Sequence, residues 1–135
     1  MDTKTLVFPA IATLGALLVY FGLSIGVGVA RVKYKIMPPQ TTGNEDFERI
    51  YRAHQNTLEQ IVIFLPALWL FSIFVNPNVG AILGAAWIVG RIAYAWGYYI
   101  EASKRAAGNA IASLATLALI FSTLFNLVRG LFFEN

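Results

Sequence analysis

Three polar side chains near the start of a long, mainly apolar segment are spaced as if on one side of a helix. Arg52, Asn56 and Glu59 follow the i, i+4, i+7 pattern, which places them on a single helix face. A guanidinium beside a carboxamide can bind a small anion that carries carboxylates. This face is therefore a candidate binding site for a polar ligand.

A second group repeats this spacing later in the chain. Arg91, Tyr94 and Tyr98 follow the i, i+3, i+7 pattern, and Arg105 returns to roughly the same side near the end of that segment. An ionised side chain in the middle of a membrane-spanning helix costs about 2.5–3.5 kcal/mol on insertion scales. These side chains are therefore expected to face each other, water or a ligand rather than lipid.

The balance of charge favours an anionic ligand. The arginines in or beside the apolar segments outnumber the acids there: Arg31, Arg52, Arg91 and Arg105 against Glu59 and Glu101. Two alternatives remain open. Arg52 and Glu59 can pair with each other or with Arg91 to hold helices together, and arginines at helix ends can extend to lipid headgroups.

The composition excludes several other kinds of site. The chain has no cysteine and one histidine, so disulfides, cysteine nucleophiles and His- or Cys-rich metal sites are excluded, and no metal is predicted. The net charge is +3, but the basic residues form no continuous stripe. We therefore expect no nucleic-acid partner and attribute the excess charge to membrane topology or to anion binding.

The elements that carry these residues are predicted from the apolar runs. Of the 135 residues, 58% are hydrophobic and only 13% are charged, about half of what a soluble domain carries. Each of four apolar segments is long enough to cross a hydrocarbon core about 30 Å thick: residues 5–30, 47–75, 79–103 and 108–130. Lipid tolerates no open sheet edge. The sequence thus predicts an all-α, integral membrane four-helix bundle, a single domain over residues 1–135.

The loops predict how the bundle is oriented. Basic residues surround the first and third loops and are absent from the second, at residues 76–78. The positive-inside rule places the first and third loops, and with them the candidate site, on the cytoplasmic side. Glycine pairs at helix-packing spacing, Gly22 with Gly26 and Gly80 with Gly84, predict close contacts between helices of the bundle.

Two long stretches resemble the MAPEG family, the membrane-associated proteins in eicosanoid and glutathione metabolism. They are PPQTTGNEDFERIYRAHQNTLEQ at residues 38–60 and GAAWIVGRIAYAWGYYIEASKR at residues 84–105. The patterns FERIYRAxxNxxE and GRxxYxxGY within them are specific. The likeness covers nearly the whole chain and is closest to type-2 and type-3 microsomal glutathione transferases and leukotriene C synthases.

The resemblance implies a homotrimer that holds glutathione, the cosubstrate, between neighbouring protomers. The positions that match the family's glutathione contacts are Arg31, Arg52, His54, Asn56, Glu59, Tyr94 and Tyr98, with Arg105 at the position of the arginine that holds the thiolate. By likeness, Arg31 and Arg52 meet glutathione carboxylates, whereas Asn56 and Glu59 hold the γ-glutamyl end. The protein itself need supply no nucleophile, because glutathione brings the sulfur.

The sequence also departs from the leukotriene C synthase pattern. Val32 follows Arg31 where that enzyme has a second arginine, and Gln60 follows Glu59 where it has a tyrosine. The first change argues against leukotriene A as the substrate, and the second removes one glutathione contact. His54 stands where several relatives have glutamine, and a lone histidine is more often structural than catalytic.

The predicted function is a membrane-bound glutathione transferase that conjugates lipophilic electrophiles from the bilayer, with reduction of lipid hydroperoxides as a side activity. The protein is expected in a bacterial inner membrane or the endoplasmic reticulum, crossing it several times. A non-catalytic lipid-binding or scaffold protein, of the lipoxygenase-activating type, is the alternative. An ion or proton pathway along Arg52, Glu59 and Arg91 is a third hypothesis, which four helices per protomer disfavour.

Overall fold

The computed structural model describes residues 2–134, which form four long helices. The helices are α1 (Val7–Tyr34), α2 (Glu45–Phe74), α3 (Pro77–Ile100) and α4 (Ala106–Phe133), with 3-10 turns at Thr3–Leu6 and Ala102–Arg105. No strand occurs in residues 2–134. Each helix, taken with any adjoining 3-10 turn, is long and apolar enough to cross a membrane. The predicted all-α membrane fold with four spanning helices is confirmed.

The helix ends follow from local sequence signals. At the start of α2, the Asn44 side chain accepts a hydrogen bond from the backbone N–H of Phe47 at 3.0 Å, and acidic residues fill the first turn, where the helix dipole favours them. At the start of α3, the Asn76 side chain accepts from two backbone N–H groups ahead of Pro77, which suits a first helical position. Helix α1 continues to Tyr34 and ends where Lys35 adopts a left-handed conformation at φ 59°.

The bundle is arranged around α2 and α3. These two helices pack on each other, and α1 and α4 each pack on both of them. The core contains the Phe64 and Trp87 rings, which stack with centroids 4.2 Å apart, and the fully buried Ala16, Leu68 and Leu119. Many large apolar side chains on the outer faces are exposed, as a helix surrounded by lipid requires.

Helices α3 and α4 approach closely at glycines. A Cβ atom at Gly108 would lie 2.2 Å from the backbone nitrogen of Tyr94 and 2.5 Å from the Gly90 carbonyl oxygen, and one at Gly97 would lie 2.2 Å from the Lys104 carbonyl oxygen. Only glycine permits backbones to come so near. This contact fixes the turn that carries Arg105 against the end of α3.

The glycine pairs predicted from spacing are only partly involved in such contacts. A Cβ atom at Gly80 would meet Ser72 Oγ at 2.5 Å, and one at Gly84 would meet the Ala12 side chain at 3.0 Å. At Gly26 the nearest atom is the Tyr99 hydroxyl at 3.4 Å, whereas no atom of residues 2–134 beyond its own helical turn lies within 4 Å of a Cβ at Gly22. The predicted contact at Gly22 within the bundle is therefore wrong, because that position of α1 faces outward.

Candidate functional site

A polar cavity lies between α2, α3 and the turn before α4. Its volume is about 190 Å³, and its lining residues are Arg52, Gln55, Asn56, Glu59, Tyr94, Tyr98 and Arg105. Consecutive helices joined by short connections run antiparallel. The beginning of α2, the end of α3 and the beginning of α4 therefore meet at one end of the bundle, and that end carries the cavity.

The face of α2 supplies four of these side chains. Arg52, Gln55, Asn56 and Glu59 have spacings of three and four residues along the helix, which bring side chains to one face. Asn56 is half-buried, whereas Arg52 and Glu59 are exposed. The cavity thus has two amides in its wall and two opposite charges free to reach a ligand.

The opposite wall is aromatic and leads to Arg105. Tyr94 is buried, and its ring meets the half-buried Tyr98 ring edge-on, with centroids 5.6 Å apart. The Arg105 guanidinium carbon lies 5.2 Å from the Tyr98 ring centroid, and the Arg105 guanidinium donates a hydrogen bond to the Ala102 carbonyl within the same turn. A cation thus stands at the mouth of the cavity, held against a tyrosine ring.

Arg31 does not line the cavity. Its Nη1 donates hydrogen bonds to the carbonyl oxygens of Ile36 at 3.2 Å and Gln40 at 2.7 Å. Its guanidinium carbon lies 5.2 Å from the Phe47 ring centroid and 5.9 Å from that of Tyr51. In this chain Arg31 therefore holds the α1–α2 connection against the start of α2.

His54 also lies away from the cavity. Its Nε2 is 2.8 Å from Ser24 Oγ, and its ring stacks on Tyr20 with centroids 5.0 Å apart. Residues two apart on a helix do not share a face, so His54 points to α1 while Arg52 and Asn56 point to the cavity. Its Nδ1 is buried and has no hydrogen-bond partner among residues 2–134.

The possibility that ion pairs hold these helices together is wrong for the part of the chain that the structure describes. The two ion pairs there join Arg49 to Asp46 and Arg129 to Glu134, so neither Arg52 nor Glu59 forms an ion pair within residues 2–134. Their charges are available to a ligand. Arg91 is hydrogen-bonded to neutral groups instead.

Gln55 lines the cavity but was not among the predicted site residues. Its spacing of three from Arg52 and four from Glu59 places it on the same helix face, so the sequence carried a signal for it.

Across residues 2–134, no group of three or more histidine or acidic side chains is placed to hold a metal ion.

Comparison with known proteins shows which sequences this chain is similar to. The sequence model of the MAPEG family matches residues 9–125. The chain is 54% identical over 127 residues to an uncharacterized protein of Synechocystis, an alignment that covers 93% of each chain. It is 45% identical over 101 residues to human microsomal glutathione S-transferase 2, covering 75% of this chain and 67% of that one. It is 35% identical over 108 residues to guinea-pig (Cavia porcellus) leukotriene C4 synthase, covering 79% of this chain and 71% of that one.

Proposed function

This chain belongs to the MAPEG family, and we propose that it is a glutathione transferase, which binds glutathione in the polar cavity and activates it as a thiolate. The observation that carries the proposal is the cavity lining, which brings Arg52, Asn56 and Glu59 of α2 together with Tyr94 and Arg105. The names of relatives support the same chemistry, because they include a glutathione S-transferase and a leukotriene C4 synthase.

The lining matches the groups that glutathione presents. Glutathione carries two carboxylates, one ammonium group and two peptide bonds. Arg52 is free to bind a carboxylate by charge-assisted hydrogen bonds, and Glu59 is free to bind the ammonium group. Asn56 is placed to hydrogen-bond the γ-glutamyl end, and the hydroxyls of Tyr94 and Tyr98 are available to the peptide groups.

Arg105 is the proposed catalytic residue. A free thiol has a pKa near ~8.5 and is mostly protonated at neutral pH, whereas the thiolate is the nucleophile. A guanidinium beside the sulfur favours the anion, and arginine keeps its charge in a partly desolvated site. The thiol proton leaves to solvent, and the thiolate sulfur forms a bond to the electrophilic carbon while a leaving group departs or an epoxide ring opens.

The same thiolate also suits a peroxide. Its sulfur can attack one oxygen of a lipid hydroperoxide, which breaks the O–O bond and releases an alcohol. A second glutathione then converts the sulfenic acid to the disulfide and water. The lipophilic substrate comes from the bilayer, because the four helices are built to lie in it.

We assign Arg31 and His54 to a glutathione site that is shared with a second protomer. Within one chain they lie outside the cavity, on the α1 side of α2. In the homotrimer that the family likeness implies, we place them at a neighbouring copy's cavity, where they complete the glutathione site. The separation of these two residues from the cavity supports that arrangement. The site is then expected to face the cytoplasm, where the basic loops lie.

The experiment compares Arg105→Ala with Lys104→Ala. Lys104 is a basic residue of the same turn that does not line the cavity, so its variant controls for loss of surface charge. Conjugation of glutathione to a chromogenic electrophile should fall about 10- to 100-fold in Arg105→Ala, since a hydrogen bond to a charged group contributes about 1.5–3 kcal/mol. Lys104→Ala should retain wild-type turnover.

Wild-type turnover in Arg105→Ala would contradict the assignment of Arg105. Calorimetry with glutathione in detergent separates the transferase from a non-catalytic lipid-binding protein. Heat of binding supports the transferase, and no heat at millimolar glutathione supports the lipid-binding alternative.

A further inference from the structure

Arg91 is buried in the bundle without an acidic partner among residues 2–134. Its side chain is fully buried, and none of the ion pairs in residues 2–134 includes it. A buried cation that lacks a counter-ion is a costly arrangement, and a well-packed apolar side chain usually serves stability as well or better. The position of Arg91 next to the cavity suggests a role in the site.

The guanidinium donates to three neutral groups on two neighbouring helices. Nη2 donates to Asn56 Oδ1 at 2.9 Å and to Thr57 Oγ1 at 2.6 Å on α2, while Nη1 donates to Asn109 Oδ1 at 3.2 Å on α4. The Thr57 hydroxyl in turn donates to the Ala53 carbonyl at 2.8 Å. These bonds fix the plane of the guanidinium.

The first of these contacts determines how Asn56 faces the cavity. Arginine has only donors, so the amide oxygen of Asn56 is the atom that must face it. The amide NH₂ of Asn56 is then left for the cavity that this residue lines. Asn56 therefore offers hydrogen-bond donors there, which suit a carboxylate or a peptide carbonyl.

Arg91 also supports the aromatic wall of the cavity. The Arg91 guanidinium carbon lies 3.9 Å from the Tyr94 ring centroid, and the Tyr94 ring meets the Tyr98 ring edge-on. The Tyr98 ring lies in turn under the Arg105 guanidinium. The buried cation thus holds the Tyr94 ring, which in turn supports the Tyr98 ring in the aromatic wall.

We propose that Arg91 is a positioning residue for glutathione binding. It presents Asn56 as a donor and holds the Tyr94 ring, and it does not touch the ligand, because it does not line the cavity. This inference rests on the proposed function. It predicts that loss of Arg91 weakens glutathione binding far more than it slows the reaction of bound glutathione.

The test measures KM for glutathione and kcat in Arg91→Met and Arg91→Lys. Methionine removes the donor that orients Asn56 and the cation that holds the Tyr94 ring, so KM should rise about 10- to 100-fold, while kcat at saturating glutathione stays within about 3-fold of wild type. Lysine keeps the charge but lacks the planar fork, so its KM should lie between those of Arg91→Met and wild type.

Asn109→Ala is the matched control. It removes one hydrogen bond of Arg91 on α4, and Asn109 does not line the cavity. A merely structural role predicts that Asn109→Ala and the Arg91 variants lower the melting midpoint and change KM in parallel. The positioning role predicts a lower midpoint in Asn109→Ala with a KM within about 2-fold of wild type.

The outcomes separate this inference from the proposed function. If wild-type protein binds glutathione and Arg91→Lys has the wild-type KM, the positioning role is overturned and the proposed function stands. If wild-type protein binds no glutathione, both are overturned. If Arg91→Met fails to fold, the comparison of Arg91→Lys with Asn109→Ala decides between the positioning role and a merely structural one.

Discussion

Replacement of Gly108 by alanine tests whether the α3–α4 contact sets the shape of the cavity. The added Cβ would lie 2.2 Å from the backbone nitrogen of Tyr94 and 2.5 Å from the Gly90 carbonyl oxygen. Both partners are backbone atoms of α3, so neither can turn aside as a side chain can. To restore ordinary contact, the helices must separate by about 1 Å. That movement displaces Tyr94 from the wall of the cavity.

The expected loss of stability follows from the extra volume that the Cβ atom adds to the packed contact. Forcing extra volume into a packed contact costs about 1–3 kcal/mol, which should lower the melting midpoint in detergent by about 3–10 °C. Because Tyr94 moves with the backbone, KM for glutathione should rise severalfold as well. A thermal scan and glutathione kinetics on the same preparation measure both effects.

Gly28→Ala provides the control for this substitution. In the described part of the chain, no atom beyond its own helical turn lies within 4 Å of a Cβ at Gly28 on α1. Alanine there should therefore leave KM unchanged and raise helix stability by up to about 1 kcal/mol. If Gly108→Ala keeps the wild-type midpoint and KM, α3 and α4 are not in backbone contact at this point. An equal loss of stability in both variants would also refute the reasoning.

Two further substitutions test individual contacts. Glu59→Gln removes the one acid in the cavity lining and should weaken glutathione binding about 10-fold. Binding of an analogue that lacks the α-amino group should not change. Titration calorimetry compares the two ligands, and equal losses for both would contradict the role of Glu59. Arg31→Ala removes two hydrogen bonds to carbonyls of the α1–α2 connection and should speed proteolytic cleavage at residues 36–44. Limited digestion measures the cleavage rate, with Lys33→Ala as the control. An unchanged cleavage rate would contradict the proposed role of Arg31 in the loop.

Much of the fold could be predicted from the sequence because membrane spans depend on simple properties. Length and apolar composition determine which segments can cross a bilayer, and helical spacing determined that Arg52, Asn56 and Glu59 share a face. The cavity brings those three together with Tyr94, Tyr98 and Arg105. These features depend on one helix at a time or on neighbouring ends of antiparallel helices.

The features that the sequence did not predict depend on how the helices are rotated against one another. Spacing alone did not reveal that Gly90 and Gly108 make the close contact while Gly22 faces outward. The family likeness grouped His54 with the site, but the α2 helix turns it toward Ser24 on α1. The buried position of Arg91 depends on three helices together, which no pattern within a single segment specifies.

The most direct test of thiolate activation is the ultraviolet absorbance of glutathione on binding to the purified protein. Wild-type protein at neutral pH should give a thiolate band with a saturable dependence on glutathione, because the Arg105 guanidinium stabilises the anion. Arg105→Ala should bind glutathione without that band. Glutathione that binds to wild-type protein entirely as the thiol would contradict the central claim.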